Sequence, residues 1–197
     1  MRSTSQRFKG RSKNQKPTNF IAPDAKVGRN VKIWHFAYVG SGTVIGDNVM
    51  IGSLAHVDYN VRIGAGTRIE GSVYIPPLTR IGKNVFIGPA AVFTNDPYPV
   101  GTRMVGVVVE DGAIVCGGAV IKAGVRIGEM SVVAMGAVVT KDVRTGVVVM
   151  GVPAREVYAR SEYDSRKVAW ESGADESTRR PSQTSPRPIG FPGQRSG

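Results

Sequence analysis

Ile45-Gly46-Asp47-Asn48-Val49-Met50, Ile51-Gly52-Ser53-Leu54-Ala55-His56, Val57-Asp58-Tyr59-Asn60-Val61-Arg62 and Ile63-Gly64-Ala65-Gly66-Thr67-Arg68 follow one another without a gap. The six-residue register extends back to Ile21 and on to Val92, lapses, and restarts from Val109 to Arg144. All eighteen blocks open with Ile or Val, and the fifth place is always Ala, Val, Thr or Ser. A period of six suits neither an amphipathic helix nor a simple alternating strand. It suits a short strand and a turn, repeated, with one large aliphatic and one small residue directed into a narrow interior. Gly, Asp and Asn in the middle places supply turn chemistry, as in Gly82-Lys83-Asn84. Such a period signals a parallel β-helix, whose coils bury their apolar sides only by stacking on one another. The expected fold class is therefore all-β.

Composition agrees with a thin core. Of 197 residues, 25 are Gly and only 7% are aromatic, which leaves little ring volume to bury. The net charge is +11, and residues 1–17 contribute six Lys or Arg with no acid. Such a basic tail can bind nucleic acid or anionic membrane, but no nucleic-acid module accompanies it, so a disordered arm is expected and nucleic acid is not. The single Cys116 permits no disulfide within the chain, and no apolar run is long enough to span a membrane. A soluble cytoplasmic protein is expected.

The organisation reads as a basic disordered tail at 1–17, a β-helix domain at 18–150 interrupted by an ejected loop at 93–108, a turn and helix at 151–170, and a disordered Pro/Arg-rich tail at 171–197. The helix reading rests on Val157, Tyr158, Ser161, Val168 and Trp170, a broken helical pattern starting from Ala154.

Ile33-Trp34-His35-Phe36, Ile87-Gly88-Pro89, Phe93-Thr94-Asn95-Asp96 with Tyr98-Pro99, and Val139-Thr140-Lys141-Asp142-Val143 leading to Gly151-Val152-Pro153-Ala154-Arg155 occur in that order. This set resembles the hexapeptide-repeat acyltransferases, and within them the nucleotide-sugar N-acetyltransferases that acetylate a UDP- or dTDP-linked 3-amino sugar with acetyl-CoA. The resemblance implies a left-handed β-helix with three hexapeptides per eighteen-residue coil, and a homotrimer with active sites in clefts between subunits.

The eighteen-residue coil stacks Tyr38, His56, Tyr74 and Val92 in one outward column, with Asn95 at the mouth of the loop. On this reading His56 is the general base, since an imidazole titrating near ~6.5 can take a proton from an attacking amine. His35 is a second catalytic candidate, and Tyr38, Tyr74, Asn95 and Asp96 are substrate-binding candidates. His56 could equally pack between two tyrosines at the trimer interface, and Asn95 and Asp96 could be turn formers ahead of Pro97. The resemblance also implies that acetyl-CoA runs along the late coils. Gly118, Ala119, Gly136 and Ala137 would allow close backbone approach, with Thr140 beside them and Lys141 and Arg155 as cations for the phosphates.

The chain departs from related sugar N-acetyltransferases at Tyr38, Ser53-Leu54, Gly71-Ser72 and Pro99-Val100, which leaves the sugar open and admits a hydroxyl acceptor. The alternatives are an O-acetyltransferase on a sugar or serine hydroxyl, and a non-catalytic solenoid scaffold. A zinc-dependent carbonic anhydrase on the same fold needs three His, and the chain has two. No metal is expected.

Overall fold

The computed structural model describes residues 18–173; the tails expected at 1–17 and over most of 171–197 lie outside these residues. From Phe20–Ile21 to Val138–Val139 the chain forms nineteen two-residue strands, each joining the sixth residue of one block to the first of the next. They stack as three parallel sheets in a left-handed β-helix of about seven turns.

Sheet A takes the strands beginning at residues 20, 38, 56, 74, 92, 120 and 138. Sheet B takes those beginning at 26, 44, 62, 80, 108 and 126, and sheet C those beginning at 32, 50, 68, 86, 114 and 132. Register is eighteen residues per turn, Tyr38 pairing with His56 and His56 with Tyr74. Backbone bonds follow the same step, His56 N–H donating to Val73 O at 2.8 Å and Asp58 N–H to Ile75 O at 2.9 Å.

The core is the pair of places that the repeat holds constant. First-place residues such as Ile51, Ile69 and Ile87 and fifth-place residues such as Ala55, Val73 and Ala91 are buried to within 1% of complete. Burial of one aliphatic side chain contributes roughly 1.5–3 kcal/mol, so stacking of turns is what stabilises strands only two residues long. Fourth-place residues from Asn30 to Gly136 turn the corners with φ between 52° and 76°. Asn and Gly accept that region easily, whereas Phe36 (φ 61°) and Leu54 (φ 62°) hold it at a cost.

The ejected loop leaves sheet A after Phe93, which is wholly buried and fills a first-place position. Asn95 O accepts from Val105 N–H at 2.7 Å and closes the loop, and the strand at Val108–Val109 resumes in sheet B. Its departure explains one orphan. Thr43 and Thr67 donate their buried hydroxyls to Asp58 O and Gly82 O, each fifteen residues on. The equivalent partner of Thr79 would be Thr94, where the loop departs, and Thr79 Oγ1 has no partner among the described residues.

Two features differ from the sequence expectation. Eighteen blocks amount to six turns, but winding continues past Val139. Val143 bridges to Ile127, and Val147–Met150 pairs with Val132–Val133. Secondly, the helix expected from Ala154 begins at Arg160, and Arg155–Ala159 is a strand antiparallel to Val147–Met150. The exposed edge of that last parallel strand takes a partner, and its ladder outweighs a weak helical pattern. The chain divides after Arg160 into two units, and the described part of the second is the helix, which buries none of its residues and carries Arg166–Glu162 and Lys167–Glu171 pairs. No described helix is long and apolar enough to cross a membrane.

Candidate active site

Sheet A places every second side chain of its strands outward, and the eighteen-residue register puts four rings one above another. Phe20 stacks on Tyr38 with centroids 4.9 Å apart, Tyr38 on His56 at 4.5 Å, and His56 meets Tyr74 at 5.5 Å in a tilted contact. The expected column of Tyr38, His56 and Tyr74 is therefore assembled.

Asp58, which the sequence reading passed over, completes the group. Its Oδ2 lies 3.9 Å from His56 Nε2 and accepts from the Tyr74 hydroxyl at 3.4 Å, while its Oδ1 accepts from Tyr59 N–H at 2.8 Å. Burial raises the Tyr74 phenol above its ordinary value, and the charge and hydrogen bond of Asp58 raise it further. The carboxylate is thus fixed from one side by backbone and set between an imidazole and a phenol. The His-x-Asp spacing across the strand end was the available signal: residue 58 turns the corner back toward the face that residue 56 occupies.

His35 does not join this stack. It stands on the corner between sheets C and A, shares a 3.0 Å hydrogen bond with Thr18 Oγ1 through Nδ1, and tilts against Phe36. In the loop, both Asp96 oxygens are engaged, one by Tyr98 N–H at 2.9 Å and the other by Gly101 N–H at 2.6 Å. Asn95 Nδ2 reaches Met104 Sδ at 3.2 Å. The two side chains shape the loop, whose tip leaves Tyr98 and Val100 almost wholly exposed.

The late coils sort the cofactor-binding candidates. Ala119 and Ala137 are completely buried in the fifth place. Their N–H groups bond to Cys116 O and Ala134 O, and their carbonyls accept from Val92 and Val120. Both methyl groups thus build the core, and both backbones are bonded to neighbouring residues of the solenoid. Gly118 and Gly136 are exposed beside them, and no atom lies within 4 Å of where a Cβ would stand on Gly136. Thr140 is exposed on the next corner, and Lys141 and Arg155 line one cleft of about 360 Å³ over Val143, Val147 and Ala154. Its rim also holds Asp142 and the Arg144–Glu156 pair. Among the described residues, no group of three or more His, Cys, Asp or Glu gathers as metal ligands.

Comparison with known families places this solenoid. A bacterial transferase hexapeptide model matches residues 24–58 and 42–77, and a hexapeptide-repeat model of succinyl-transferase matches 78–123 and 119–141. Together they span more than half of the chain, which belongs to the hexapeptide-repeat acyltransferase superfamily.

Among its relatives is the 2,3,4,5-tetrahydropyridine-2,6-dicarboxylate N-acetyltransferase of Staphylococcus aureus (strain Newman), 44% identical over 61 residues, or 31% of this chain and 26% of that one. The chain thus matches about a quarter of the length of the curated relatives. The acetyltransferase domain of PglB from Neisseria gonorrhoeae, solved also with acetyl coenzyme A, superposes with a TM-score of 0.51 at 23% identity, covering 72% of this chain and 55% of that one. That likeness establishes the fold. PerB from Caulobacter crescentus, solved with CoA and GDP-perosamine, gives a TM-score of 0.48 at 26% identity over 72% of this chain and 55% of that one.

Proposed function

We propose that the protein is a cytoplasmic homotrimer that transfers an acetyl group from acetyl-CoA to the amino group of a nucleotide-linked amino sugar. The observation that carries this reading is the Tyr38–His56–Tyr74 stack with Asp58 set against it. The short but closely similar segment shared with an N-acetyltransferase supports the transferred group.

Acetyl-CoA, when bound, supplies the acetyl thioester. Gly118 and Gly136 let its arm lie close to backbone, and Lys141 and Arg155 meet its phosphates. The sugar amine attacks the thioester carbonyl, the carbon–sulfur bond breaks, and the sulfur leaves as thiolate. His56 takes the proton that the amine loses and returns it to the sulfur. Asp58, with Oδ2 3.9 Å from Nε2, faces the imidazolium formed in between.

Trimer formation is supported by the outer column of sheet A. Phe20, Tyr38, His56, Tyr74, Val92, Val120 and Val138 include no Lys, Arg, Asp or Glu, whereas sheet B presents Lys26, Arg62, Arg80 and Arg126. Charge depletion of this kind marks the centre of an interface. His56 is half exposed on that face, and a second copy against it would supply the other wall of a cleft.

A hydroxyl acceptor is the second reading, favoured by the His56–Asp58 pair itself, because an alcohol needs a base more than an amine does. Acetyl-CoA binding by calorimetry and mass spectrometry of the products from amino-sugar and hydroxyl acceptors test both. Absence of acetyl-CoA binding would favour a scaffold.

A further inference from the structure

A cleft of about 250 Å³ opens on the corner between sheets C and A, bounded by Trp34, Ser53, Arg68 and Glu70 over Gly52 and Gly71. The hollow itself is a consequence of packing. A Cβ on Gly52 would lie 2.5 Å from Gly71 N, so the second coil must be bare where it passes under the third. The side chains around the hollow are not demanded by packing. Trp34 occupies a second place, where Gly28, Gly46, Gly64 and Gly82 stand in other blocks, and half of its surface is exposed. Arg68 Nε lies 2.5 Å from Glu70 Oε1, and its guanidinium stands 6.0 Å from the Phe86 ring centroid, so both charged groups are held in place.

We propose that this cleft binds a single sugar ring through groups that carry no net charge. Its volume suits one ring and is too small for a nucleotide. The indole offers an apolar face for the C–H surface of a pyranose and an N–H at its edge. The Ser53 hydroxyl, the Glu70 carboxylate and the Arg68 guanidinium supply donors and acceptors together, as vicinal hydroxyls require. Glu70 balances the charge of Arg68, so the site has no excess cation to recognise a phosphate or a dicarboxylate. Ser53 precedes His56 by three residues, on the corner that leads into its strand. The proposal rests on the transferase reading for identifying the ring as the acceptor's sugar, but binding is measured without turnover.

The test uses the full chain with Trp170→Phe, which leaves Trp34 as the sole indole of the two tryptophans. N-acetylglucosamine is titrated against its fluorescence, with inorganic pyrophosphate as the charged control. A saturable change with the sugar alone, weakened roughly tenfold by Glu70→Gln, is expected. A flat response to the sugar up to about 100 mM, an equal response to pyrophosphate, or indifference to Glu70→Gln overturns the proposal. Acetyl transfer to an amino sugar without a sugar-dependent signal retires the cleft and leaves the transferase intact. Saturable sugar binding with no transfer to any acceptor does the reverse.

Discussion

His56 and Tyr38 lie nearly face to face, with ring centroids 4.5 Å apart and planes 19° from parallel. With Tyr74 on its other side, the imidazole is confined between two phenols on consecutive turns, so its orientation is set by the coil repeat and not by a flexible loop. His56→Ala is expected to lower kcat by about 10²-fold with little change in KM, as measured by steady-state thiol release. Activity within a few-fold of the unmodified protein would mean that positioning, not proton transfer, carries the reaction.

Asp58→Asn is expected to bring the Tyr74 phenol down toward its ordinary value, because the charge of Asp58 is removed while burial remains. Ultraviolet titration of phenolate formation, compared between the two proteins, reads this directly. The sign for stability follows. A raised phenol favours the folded state below the unfolded value of about 10, and that contribution is lost as pH climbs through the raised value. An unchanged titration would remove Asp58 from contact with Tyr74.

Between sheets B and C, the backbone N–H of Arg29 and then its guanidinium hold the Asp47 carboxyl below the usual range. Its contribution is present above the unfolded carboxylate value of about 3.9 and is lost as pH falls through the depressed one. Asp47→Asn should therefore lower the melting temperature slightly at neutral pH and leave it unchanged below the depressed carboxylate value, which flattens the acid side of the profile by the small amount an exposed pair contributes.

Lys141→Ala and Arg155→Ala should each raise the KM for acetyl-CoA by roughly tenfold, as loss of one charge-assisted contact to phosphate does, with kcat retained. Initial rates against acetyl-CoA decide it, and a fall in kcat at constant KM would place both residues elsewhere in the cycle.

Leu54 holds a left-handed φ of 62° with its side chain exposed. Leu54→Asn is expected to stabilise the isolated fold by about 0.5–1 kcal/mol, read as a shift of the urea midpoint. Destabilisation would show that Leu54 is covered in the assembled protein.

The solenoid was legible because its core is written locally: a first-place aliphatic and a fifth-place small residue recur whatever the turn between them. The ring column followed once eighteen residues made a turn. Asp58 was missed because a second-place residue reads as corner filler until the corner is seen to fold it back beside His56. Ala119 and Ala137 read two ways in the sequence because smallness serves the interior as well as a ligand, and both methyl groups lie in the core. Arg155–Ala159 carried a helical spacing that an open sheet edge overrode, and that edge exists only once the preceding coils are wound.

Because each turn adds one strand to every sheet, the solenoid is also a ruler with fixed graduations. Four steps of sheet A separate the strand of His56 from the strand that leads to Lys141, or roughly 19 Å at the usual ~4.8 Å spacing between strands. That separation can change only by whole strands. A deletion of eighteen residues between them would preserve the winding and shorten the reach by one graduation, so coil number itself becomes a selector for the length of molecule that can touch both ends.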